Sequence, residues 1–156
     1  MRKTISILLA LCLLCTAAAA PAEVPSFDDT PGMLVEDGDT VIEESAFEGN
    51  WVIDKTFANT EYIDPDTLAS TYQIAISKVR IAEGKVFVEK ASETGEVKTE
   101  AYAYTFEAGQ LQSEENSELD FSFDLLEDGN ICMSVFVPGE EEAPTCISLF
   151  LIRGEA

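Results

Sequence analysis

The chain contains no histidine. Imidazole-based zinc sites and Ser-His-Asp or Cys-His catalytic groups are therefore excluded. Bases are scarce, with nine Lys and Arg against 30 Asp and Glu in 156 residues. A chain of that sign repels phosphate backbones and anionic lipid, which excludes nucleic acid as a partner. Neither a Gly-rich phosphate loop nor a serine nucleophile elbow occurs. Carboxylates are so abundant that a pair of them carries no argument for glycosidase chemistry. Nothing implies a cofactor or a bound metal, and the chain reads as non-catalytic.

Long apolar runs are also few. Ile5 to Leu14 is one, preceded by Arg2 and Lys3 and followed by the small residues Thr16 to Ala20. It is too short to span a bilayer as a helix, and the pattern is that of a secretory signal peptide over residues 1–22. Pro21 speaks against a cut after Ala20, leaving Ala19 or Ala22. Leu11 and Leu14 precede Cys12 and Cys15, which disfavours a lipid anchor on either cysteine. No later segment is apolar enough to span, so the expectation is a secreted chain with no membrane span. With Arg2 and Lys3 removed, seven bases face 30 acids, a net charge of −23. Its bland reading is a solvated acidic exterior.

Residues 23–46 carry acids, prolines and glycines but no base. Such a segment buries too little to offset its ordering cost, so a flexible acidic leader is expected, with Val41 and Ile42 able to dock. Glu36, Asp37, Asp39, Glu43 and Glu44 lack the spacing of an EF-hand loop.

The domain proper is 47–156, long enough for one core. It begins at Phe47-Glu48-Gly49-Asn50-Trp51, which holds the only tryptophan. Asp64-Pro65-Asp66 is a helix start: a side-chain cap, a proline suited to the first turn and an acid for the dipole. Beyond it, apolar alternation and turn residues predict strands. Counting gives strands near 49–57, 74–81, 85–91, 97–106, 109–114, 118–126, 131–137 and 146–153. The fold expected is all-β, an eight-stranded antiparallel up-and-down β-barrel with one short helix after the first strand. A two-sheet sandwich is the runner-up.

Turn lengths predict register. Glu83-Gly84 as a two-residue turn sets Ile81 against Val86 and Val79 against Val88. A two-residue Asp128-Gly129 turn would set Leu125 against Cys132, Phe123 against Ser134 and Phe121 against Phe136. Tyr102, Tyr104 and Phe106 share one face of their strand, and either face suits the interior. Cys132 and Cys146 have two registers. A tight Pro138-Gly139 turn brings them opposite and bridgeable. A loop from Pro138 to Pro144 pairs Ser134 with Ser148 and leaves the sulfurs roughly 13 Å out of step, too far for a disulfide. Pro144 favours the second.

Gly49-x-Trp51 on the first strand, the short helix, the following strands and Arg153 on the last resemble the lipocalin-like barrels of the exported bacterial type. The resemblance covers Phe47 to Arg153. It implies that Trp51 plugs the closed end beneath Arg153, with Gly49 leaving room. Where that family has a Thr-Asp-Tyr-like triplet, this chain has Glu127-Asp128-Gly129-Asn130. The expected function is a secreted, non-catalytic module binding a small apolar or amphipathic ligand inside the barrel. The expected lining is Val79, Val88, Phe121 and Phe123, joined by Cys132, Ser134, Phe136, Ser148 and Phe150. The same side chains can instead fill the interior, which would make the chain a protein-interaction or inhibitor module whose partner the sequence does not name.

Overall fold

A computed structural model describes residues 22–92, 94–138 and 144–155. The expected signal segment lies, apart from Ala22, outside the described residues, as does Gly139 of the Pro138-Gly139 turn.

Among the described residues nine antiparallel strands form one sheet: β1 (Gly49–Ala58), β2 (Glu61–Tyr62), β3 (Ile76–Ala82), β4 (Lys85–Ala91), β5 (Val97–Glu107), β6 (Gln110–Ser113), β7 (Phe121–Leu125), β8 (Ile131–Val137) and β9 (Thr145–Arg153). From β3 to β9 each strand pairs with the next, and β9 returns to β1, closing an eight-stranded barrel. The two-residue β2 adds only to the end of β1. Helix α1 (Pro65–Tyr72) follows β2, with Asp64 Oδ1 accepting the N–H groups of Asp66 and Thr67 at 3.0 Å each. Those bonds satisfy donors that a helix start otherwise leaves unpaired.

Inward alternation builds the core. Val86, Val88, Phe123, Met133, Leu149 and Leu151 have no accessible surface. A void able to hold water would leave its lining side chains accessible, so the axis is packed solid at this level. On β5 the aromatic face turns inward: Tyr102 meets Phe121 edge to face at 6.1 Å, and Phe47 does the same to Phe106 at 6.2 Å.

The β3–β4 register is the expected one, Ile81 against Val86 and Val79 against Val88. The β7–β8 register is one residue off the expected pairing. Phe121 faces Val135, Phe123 faces Met133 and Leu125 faces Ile131. The turn takes three residues rather than two: the N–H of Leu126 reaches Asn130 O at 2.8 Å, and Gly129 supplies the left-handed residue at φ 81°. A one-residue slip moves every side chain to the other face. Cys132, Ser134 and Phe136 therefore point out of the barrel. A bulge at Asp54 does the same to the second half of β1 and turns Phe57 outward.

The leader, expected as a flexible stretch, is laid against the barrel through its few apolar residues. Phe27 stacks edge to face on Phe57 at 5.3 Å and Phe150 at 6.0 Å, covering an outer cluster that includes Leu126 and Cys132. Met33 bridges to Leu126, the N–H of Leu34 reaches Leu125 O at 2.8 Å, and Ile42 is buried. This cover explains why β9 is apolar on both faces.

Candidate functional site

The closed end is built first. The N–H of Trp51 donates to Phe47 O at 2.8 Å, which satisfies the buried indole. Arg153 lies opposite Trp51 in the β1–β9 ladder, and its guanidinium carbon sits 4.0 Å from the centre of the Trp51 ring. The same guanidinium donates to Glu48 O and, at 3.1 Å, to Ala46 O. Gly49, at φ 138°, lies directly beneath it; a Cβ there would collide with Nη1 of Arg153. Tyr104 donates to Glu44 at 2.7 Å, and burial together with that carboxylate raises its pKa.

The other end has a polar rim. Lys90 Nζ lies 2.5 Å from Glu100 Oε2, and the Tyr102 hydroxyl donates to the same oxygen at 2.5 Å. Lys98 approaches the second oxygen at 3.4 Å. Hydrogen bonds from Lys90 and then Tyr102 hold the Glu100 carboxyl at about 2. Burial works against the Lys90 charge, but bonds to Glu100 and Tyr102 outweigh it and raise its pKa.

The sheet is incomplete at two places near this end. β1 and β3 pair only from Gly49–Ile81 to Val52–Lys78 and then splay. β5 and β6 pair only over Tyr104–Glu107. In the first break, α1 lies over an apolar cleft of about 290 Å³. Ile53, Ile63, Leu68, Ile74 and Ile76 form its walls, with Asp54 and Lys55 3.8 Å apart at its margin. That volume is at the small end of ligand pockets, and its chemistry is the usual one, an apolar floor with a few polar groups.

None of the residues expected to line a ligand site is in this cleft. Val79, Val88, Phe121 and Phe123 point into the barrel as expected, but they fill it. Ser134, Phe136, Ser148 and Phe150 lie on the outer face: Ser134 opposite Ser148, Phe136 exposed and Phe150 beneath Phe27. The physical reason is the three-residue turn and the slip it imposes. Ile63 stands in an irregular segment where no periodicity marks an inward side, and Ile74, expected within a strand over 74–81, lies before β3 begins at Ile76.

Cys132 and Cys146 are free. Cys132 faces Phe150, and Cys146 faces Phe136, the second of the two expected registers. Burial, then the neighbouring Asp124, pushes the Cys132 thiol up to about 12. Among the described residues no three acids or cysteines gather as a metal ion would need, and no helix is long and apolar enough to cross a membrane.

Compared with protein-family models and with curated proteins, the chain matches none.

Proposed function

We propose that this chain is an exported, non-catalytic lipocalin-like module that holds a small apolar or amphipathic ligand in the cleft beneath α1, not on the barrel axis. The observation that carries the reading is that cleft: about 290 Å³ walled by isoleucines and Leu68, in a barrel whose axis is closed by its own side chains. The lipocalin-like assignment draws support from the closed barrel, the helix after β1 and the Gly49–Trp51–Arg153 stack. Export draws support from the basic, apolar and small-residue succession at the start of the sequence. The absence of histidine and of nucleophile motifs supports the non-catalytic reading.

Native mass spectrometry of the mature chain after mild extraction, with uptake of a hydrophobic fluorescent dye, tests the proposal. Ala69 lies on α1 at the cleft and is exposed, so Ala69→Trp fills the space without entering the core. The expected result is dye uptake that Ala69→Trp reduces about tenfold and that Thr105→Trp, on the outer face of β5, leaves unchanged. Equal uptake by both variants, or none by the native chain, overturns the reading.

A further inference from the structure

The second break in the ladder leaves a strand margin without a partner. β4 pairs with β5 from Val97 to Ala103, but β6 takes up only Tyr104–Glu107. After Ser113 the chain leaves the sheet and returns as β7 at Phe121. Among the described residues nothing pairs with the other margin of Val97–Ala103. The β5–β6 turn decides which groups lie there. Ala108 and Gly109 have φ of 50° and 75°, a two-residue turn of the I′ kind, which makes Glu107 and Gln110 a hydrogen-bonded pair. Every second residue of β5 then aims its N–H and C=O toward the β6 side. Thr105 meets β6; Ala103, Ala101, Thr99 and Val97 do not.

This margin is open to a strand. Thr99, Ala101 and Ala103 turn small, exposed side chains outward, and no proline or bulge interrupts the β4–β5 ladder. Natural sheets usually block such an edge with one of those devices. Across the gap is a hollow of about 270 Å³, with Ala101 and Ala103 on one side and Glu114, Glu115 and Glu118 on the other. None of these three exposed carboxylates has an ion-pair partner among the described residues.

We propose that the β5 margin is a docking edge for an extended basic segment of a partner protein. The segment adds as a strand to Val97–Ala103, and its lysine or arginine side chains meet the Glu114–Glu118 loop. Main-chain bonds supply affinity in this mode, and side-chain chemistry supplies selection. The same charges turn away a second copy of this chain, because joining two such margins would bring two sets of three glutamates together. The edge is separate from the cleft under α1 and does not depend on a ligand there.

The test titrates a short synthetic peptide alternating lysine and valine into the full mature chain at low salt, read by amide NMR shifts and hydrogen exchange. New protection at Val97, Thr99, Ala101 and Ala103 is expected. Ala101→Pro removes an outward N–H at an edge that tolerates proline, and affinity should fall about tenfold or more while the unfolding midpoint stays close to that of the native chain. A second route leaves the strand untouched: Glu114→Lys with Glu115→Lys should abolish binding of the lysine peptide and admit one alternating glutamate and valine. The proposal is overturned by no binding, by shifts spread over the acidic surface without protection on β5, by unchanged affinity in a folded Ala101→Pro chain, or by self-association through this edge.

Discussion

Arg153 lies over the indole of Trp51, 4.0 Å from the ring centre, and from there reaches back to the carbonyls of Ala46 and Glu48. One side chain thus joins the last strand, the first strand and the end of the leader. Arg153→Met keeps much of the apolar stem but loses the charge and its donors. It should lower stability by about 0.5–1 kcal/mol, the lower part of the combined range because Arg153 is exposed. Arg153→Lys should not restore it, since one ammonium cannot stack and fork at once. Urea unfolding reads both, and protease nicking within residues 23–46 should quicken in step.

The Glu100 carboxyl is held at about 2 against an ordinary value near 4.5, chiefly by Lys90 and then by Tyr102. A carboxylate whose pKa is depressed by folding contributes stability above its unfolded value and loses it as pH falls toward the folded one. The window is therefore pH 4.5 down to about 2. General acidification also relieves the repulsion of a strongly acidic chain, so the comparison must be with Glu100→Gln. The native chain should lose more stability across that window than the variant; parallel curves would contradict the assignment.

Thiol labelling checks the β7–β8 register and the docked leader together. Cys146 is partly exposed and should react in the native state. Cys132 is buried with its thiol pushed up to about 12, so it should react only on unfolding. Phe27→Ala removes part of the cover over the outer cluster and should speed Cys132 labelling without speeding Cys146. A bridged pair by mass would refute the second register.

Asp64 starts α1, the lid of the cleft, and backbone and hydroxyl donation from Thr67 lowers its pKa. Asp64→Ala should loosen the first helical turn, seen as faster hydrogen exchange at Leu68 and weaker dye uptake, with the barrel amides unchanged. Faster exchange across the whole barrel would mean that the lid is not a separable element.

Much of this architecture is legible in the residues. Trp51 and Arg153 are paired through the resemblance of Gly49-x-Trp51 and the last-strand arginine to the lipocalin-like pattern, and the cation over the indole has its own physical warrant. Asp64-Pro65 marks α1 because its chemistry is local. Val79 and Val88 pair as expected because Glu83-Gly84 is a true two-residue turn. The candidate site was not legible. Asp128-Gly129 has the letters of a two-residue turn, yet Glu127 belongs to it, and that extra residue turns Cys132, Ser134 and Phe136 outward. The bulge at Asp54 leaves no sign in composition. Ile63 and Ile74 reach the same cleft only through the course of the chain around α1, which alternation does not encode.

A ligand held in the splayed seam under α1, with the barrel axis closed, touches one set of methyl groups and leaves another alone. Methyl NMR of Ile, Leu and Val side chains, during titration of the mature chain with octyl glucoside below its micelle threshold, tests that placement most directly. Saturable shifts are expected at Ile53, Ile63, Leu68, Ile74 and Ile76, with Val79, Val88, Val135 and Leu149 unmoved. Shifts concentrated on the second group, or none that saturate, would contradict it.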